Sequence, residues 1–148
     1  MRGNIARMLA HSPIVAPVIA LAVWTHVMWA WMYVTRIPAM RKMGMVLDPD
    51  APRGAQMATL PASVRWKADN YNHLMEQPTV FYAVALSLAV LGEGSGTNAT
   101  LAWAYFGSRV VHSVFQSTVN KIEVRFALFF LSSLILIALT VNAARVAF

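Results

Sequence analysis

Four apolar stretches divide this chain, and two of them carry ionisable side chains at helical spacing. They cover about residues 13–35, 68–91, 99–118 and 124–144. Each is long enough, at about 20 residues, to cross a hydrocarbon core of about 30 Å as an α-helix. Glu76 lies at the edge of the second stretch, and Arg109 lies inside the third with His112 one turn further on. A charge at membrane depth costs at least about 2.5–3.5 kcal/mol unless a partner or water offsets it. A chain that keeps both signs there uses them to pair helices, to hold a polar ligand, or for both.

Composition agrees with a membrane setting. Of the 148 residues, 58% are hydrophobic and only 12% charged, against about 25% charged in ordinary soluble domains. The reading is therefore an all-α integral membrane protein: a single domain over residues 1–148, built as a bundle of four transmembrane helices. There is no cysteine, which removes disulfides, thiolate metal sites and a cysteine nucleophile. The net charge of +6 does not point to nucleic acid. The basic residues sit mainly in the connections between apolar stretches, where they set topology.

The first stretch contains IVAPVIALAVWTHVMWAWMYV after Arg2 and Arg7. It is too long for a signal-peptide core of about 7–15 residues and reads as an uncleaved helix. Trp24, Trp29, Trp31 and Tyr33 thicken toward its end as an interfacial belt. A polar connection from Arg36 to about Lys67 follows, punctuated by Pro38, Pro49, Pro52 and Pro61. Pro78 falls inside the second stretch and predicts a kink or a break. Gly92 to Asn98 form a flexible turn, and the short link from Val119 to Glu123 makes the last two helices antiparallel neighbours. Lys and Arg number eight in the first and third connections, against three on the other face (Arg2, Arg7 and Arg145). That bias predicts both connections in the cytoplasm and both termini on the opposite side.

The polar residues fall on defined faces. Asp69, His73 and Glu76 share one side of the second helix, with Asn72 adjacent. Arg109, His112, Gln116 and Asn120 form a stripe along the third, and Arg125 opens the fourth. With Arg36 at the end of the first helix, these groups converge at the cytoplasmic level. A structural role competes with a functional one: Glu76 and Arg109 as a pair that locks two helices, His112 as a cross-helix hydrogen-bond donor, and His26, the tryptophans and the methionines as packing. Three chemistries compete as functional readings. One is an anion pocket built on Arg36, Arg109 and Arg125, since arginine keeps its charge and offers a forked donor set. The second is haem ligation, for which His73 with His112 is the one pairing at a common level. The third is ion or proton conduction along the stripe.

The segments NYNHLMEQPTVFYAVALSL and RVVHSVFQSTVNKIEVRF resemble the MAPEG family, the membrane-associated proteins in eicosanoid and glutathione metabolism, and most nearly a bacterial branch of it. The resemblance runs from about Thr35 to the end of the chain, and its bacterial branch implies a bacterial inner membrane. It implies a homotrimer of four-helix subunits with glutathione held between neighbours near the cytoplasmic face, and a lipophilic second substrate reaching the site from the bilayer. By that resemblance Arg125 activates the glutathione sulfur. Arg36, Asn72, His73, Glu76, Arg109, His112 and Gln116 hold the tripeptide. The chain departs from the active pattern at Asp69, where arginine is usual, at His73 for asparagine, at Gln116 for tyrosine, and at Phe129 for an aromatic hydroxyl. The implied activity is glutathione-dependent transfer, peroxide reduction or isomerisation. The departures support an alternative: a non-catalytic member that binds a lipid or joins a larger membrane complex.

Overall fold

A computed structural model describes residues 12–148. Arg2 and Arg7, which entered the charge count, lie outside them. The described residues form six helices and no strand: α1 (Val15–Lys42), α2 (Ala55–Ala58), α3 (Ala62–Leu74), α4 (Gln77–Val90), α5 (Gly96–Thr118) and α6 (Ile122–Ala147). α1 and α6 are each long and apolar enough to cross a membrane. They are also little buried by the rest of the chain, so many of their apolar side chains face outward. Val23, Val34, Phe130 and Ile137 are examples.

The segment expected as one helix over 68–91 is two. α3 ends at Leu74 and α4 begins at Gln77, with Glu76 between them in a non-helical conformation. Pro78 accounts for the break. It lacks the N–H that would bond back to Leu74, and its ring crowds that carbonyl. It sits instead in the first turn of α4, where a missing donor costs nothing. α1 continues through Pro38 to Lys42, two turns past its expected end. α3 begins six residues before the expected start at 68. The polar connection is thus partly helical, and what remains between α1 and α3 contains only the one-turn α2. α5 starts at Gly96 rather than near 99, and α6 covers Ile122–Ala147 rather than 124–144.

α5 packs most extensively on α6, as the short link between them requires, and α1 packs on α3, α4 and α5. The apolar core lies along these seams: Leu21 and Met28 from α1, Phe81, Ala85 and Leu88 from α4, Ala102 and Tyr105 from α5, and Leu136 and Leu139 from α6. Phe81 stacks on Tyr105 with ring centroids 4.4 Å apart. Polar ties cross the same seams. Tyr105 donates to Gln77 Oε1 (3.2 Å), Gln77 Nε2 donates to Ser133 Oγ (2.7 Å), and Asn142 Nδ2 donates to Asn98 Oδ1 (2.8 Å). At one end, the Ile14 N–H donates to the Gly94 carbonyl (2.9 Å) and ties the α4–α5 turn to the start of α1.

Candidate functional site

The break between α3 and α4 organises the polar end of the molecule. Arg109, on α5, is 1% exposed. Its Nη2 donates to the carbonyl of His73 in the last turn of α3 (3.3 Å), and its Nη1 donates to His112 Nδ1 (3.3 Å). The guanidinium therefore satisfies a carbonyl at the helix end. The bond to His112 fixes Nδ1 of that ring as the acceptor, because arginine can only donate. His112 Nε2 and Arg109 Nε are buried with no protein partner.

Glu76 does not pair with Arg109 in the described residues. Its carboxylate accepts from His73 Nδ1 at 2.8 Å, and its side chain is 68% exposed. The α3 helix stops short of Glu76, so the carboxylate turns outward and bonds the His73 ring, while the arginine bonds the His73 carbonyl. The result is a relay of contacts: Glu76 on His73, and His73 edge to face on His112 with centroids 5.0 Å apart.

Arg125 approaches from the start of α6. Its Nη1 donates to Asn120 Oδ1 (2.7 Å), and its Nε is buried and unpartnered. Asn120 holds this position because it follows the end of α5 in a left-handed conformation, φ 57°, which asparagine tolerates better than most residues. Together His73, His112, Ile122, Arg125, Phe126 and Phe129 line an open pocket of about 370 Å³. Phe129 lies against His73, centroids 5.3 Å apart. The pocket is cationic on one wall and aromatic on the other.

Three expected site residues stand elsewhere. Arg36 and Asn72 line a second cleft with Arg53, Arg65 and Asp69, on the α1–α3 side. Gln116 is 1% exposed, and its Oε1 has no partner. It does not line the first pocket. Asn120, Ile122 and Phe126 were not among the expected site residues. Asn120 was visible as the last member of the α5 stripe, but nothing in the spacing marked it as the group that orients Arg125. The haem reading fails on geometry, because rings packed edge to face at 5.0 Å leave no room for a porphyrin between them. His26 donates from Nδ1 to the Ala22 carbonyl (2.8 Å) on its own helix, far in sequence from the pocket. No cluster of three metal-ligating side chains occurs among the described residues.

These features define a class: an all-helical membrane protein whose helix termini gather a histidine- and arginine-lined pocket. A family model narrows it. The model for the MAPEG family matches residues 14–145, nearly the whole chain, and the chain belongs to that family. No curated protein and no solved structure matches it.

Proposed function

We propose that this protein is a glutathione-dependent transferase, peroxidase or isomerase acting on a lipophilic substrate at the membrane. It works as a homotrimer of four-helix subunits. The observation that carries the reading is Arg125: a guanidinium held by Asn120, with an unpartnered buried Nε, facing an open pocket beside two histidines. Glutathione fits this donor set. Its two carboxylates match guanidinium and imidazole donors that have no protein partner, and Glu76, largely exposed beside His73, suits its ammonium group. Bound there, glutathione supplies a thiol nucleophile. Arg125 favours the ionised sulfur, because a nearby cation lowers a thiol pKa, so the protein needs no general base of its own. Arg109 holds His112 and the end of α3 in place, and through them shapes the pocket floor. Phe126 and Phe129 give the electrophile an apolar wall. Membership of the family supports the same reading.

The test is calorimetric titration of the detergent-purified protein with glutathione, together with turnover of a chromogenic electrophile. Wild type should release heat at millimolar glutathione. Arg125→Ala should lose at least about 100-fold in turnover, the order of effect of removing one charge-stabilising donor, while keeping its oligomeric state. Equal turnover in the variant would remove Arg125 from the mechanism.

One observation favours a second reading. Phe129 presents a bare ring to the pocket, and Gln116 is buried away from it, so two polar contacts of the active pattern are missing. A non-catalytic protein that holds a lipid, or that serves in a larger membrane complex, would keep the fold and show no heat with glutathione.

A further inference from the structure

The end of α1 is shaped to press part of the α1–α3 connection against the bilayer. α1 presents one apolar face outward. Ile19, Val23, Val27, Val34 and Ile37 are all exposed, and their spacings of four, four, seven and three keep them on one side of the helix. α1 is long and apolar enough to cross a membrane, so that face meets lipid. Ile37 lies 22 residues beyond Val15, the first residue of α1, about 33 Å at 1.5 Å per residue. A hydrocarbon core is about 30 Å thick. Ile37 therefore sits at its border, just past the aromatic belt of Trp29, Trp31 and Tyr33.

The helix runs on to Lys42, and the chain then turns back. Gly44 takes the left-handed conformation, φ 59°. The Met45 N–H donates to the Met40 carbonyl and the Gly44 N–H to the Arg41 carbonyl, both at 3.1 Å. This pair of bonds is a Schellman cap. Its usual apolar partners, here Met45 and Met40, line one cleft of about 260 Å³ together with Ile37 and Leu47. Ile37 precedes Gly44 by seven residues, about 10 Å of helix. Sharing a cleft with it brings Leu47 back down to the border of the hydrocarbon core.

Gln56 holds the returning segment in place. Its Nε2 donates to the Val46 carbonyl (2.8 Å), and its Oε1 accepts from the Asp48 N–H (3.2 Å). Two backbone groups are thus satisfied by protein, which lowers the cost of bringing this backbone to lipid. The side chains stay free: Val46 is 84% exposed and Leu47 61%. Charged residues bracket the apolar run, Arg41 and Lys42 before it and Asp48 and Asp50 after it, all exposed. A segment of this pattern enters the interface by its centre and leaves its ends among headgroups and water, with the long basic side chains reaching up to the phosphates.

We infer that Met45, Val46 and Leu47 form a wedge that inserts into the interfacial layer of the bilayer beside the end of α1, and that its partner is the glycerol and upper acyl region of the lipids. The wedge rests on α1 crossing the bilayer and not on the glutathione reading. None of its three residues lines the Arg125 pocket or the Arg36 cleft.

The chain has no cysteine, so a spin label on Val46→Cys reports that position alone in the full-length protein, reconstituted into phosphatidylcholine vesicles. The exposure of Val46 lets the fold tolerate the label. Paramagnetic resonance then compares collisions with oxygen, which concentrates in lipid, and with a nickel chelate, which stays in water. Oxygen should dominate severalfold at Val46→Cys, and a label on Leu47→Cys should agree. Asp50→Cys, past the wedge and exposed, should give the reverse. Nickel dominating at both wedge positions would place the segment in water and overturn the proposal. A spectrum broadened by labels on neighbouring copies, and sharpened on dilution with unlabelled protein, would overturn it too, because a second copy then covers the segment in place of lipid.

Discussion

At the residue scale, Arg109 and Arg125 illustrate how one side-chain type takes two roles. Arg109 is enclosed, and both its hydrogen bonds go to protein groups. Arg125 has one protein bond and faces the open pocket. Their substitutions should therefore differ in kind. Arg109→Leu removes a charged donor from the half-buried His73 carbonyl and from His112, and should cost about 1.5–3 kcal/mol per lost bond, seen as a lower thermal midpoint in detergent. Arg125→Ala should leave that midpoint nearly unchanged. If Arg109→Leu proves as stable as wild type, the guanidinium is not what caps α3. Asn120→Gly tests orientation alone, because glycine adopts the left-handed backbone at this position without strain. It keeps Arg125 but releases its Nη1 partner, and it should weaken glutathione binding without changing subunit assembly. The sequence located Arg109, His112 and Arg125 near one level because i, i+3 and i, i+4 spacing defines a helix face. It did not show Glu76 turned outward, because that depends on where α3 ends. Nor did it place Arg36 with Arg53, because no periodicity governs a turn rich in proline.

At the element scale, the α3–α4 break and the α4–α5 turn are the two places where backbone geometry decides the architecture. Pro78 was legible as a disruption, but its size was not. A kink keeps one helix, whereas here two residues leave the helical path, and Arg109 meets the carbonyl of His73 just before them. The composition of the α4–α5 turn, GEGSGTN, predicts flexibility, yet Gly94 within it is buried and bonded to Ile14. Its constraint is space. A Cβ at Gly94 would meet Ser12 Oγ, and Ile14 Cγ2 at 2.7 Å, with the Ala89 backbone close behind at 3.2 Å. Overpacking of this kind costs about 1–3 kcal/mol. Gly94→Ala should thus lower the thermal midpoint, whereas Gly107→Ala, with nothing within 4 Å of the added atom, should not. A neutral Gly94→Ala would show that the turn can move away from α1 at little cost.

For the whole molecule, the question is how many helices cross the bilayer. α1 and α6 qualify individually. α5 has 23 residues, about 35 Å at 1.5 Å per residue, but Arg109, His112 and Gln116 dilute its apolar character. α3 and α4 reach a comparable length only end to end. Burial resolves the apparent conflict in physical terms, because Arg109, His112, Gln116 and Asn70 are all nearly inaccessible and so present no charge or amide to lipid. A polar helix can cross a membrane when its polar side faces protein. The two alternatives predict different sides for the α4–α5 turn. With four spans it lies opposite the α1–α3 connection, and with two it lies on the same side. The chain contains no cysteine, so single introduced cysteines report cleanly. Ala51→Cys, in the α1–α3 connection, should react with a membrane-impermeant maleimide only from the cytoplasmic side. Ser95→Cys, exposed in the α4–α5 turn, should react only from the outside. Labelling of both from the cytoplasmic side would reduce the protein to two spans and leave α3, α4 and α5 as a cytoplasmic layer. Labelling of Ala51→Cys from outside with Ser95→Cys from inside would keep four spans and invert the orientation drawn from the positive charges. The inverted result would move the Arg125 pocket and the Arg36 cleft, which open at the same end of the helices as that connection, to the opposite face of the membrane, whereas the two-span result would keep them on the cytoplasmic side.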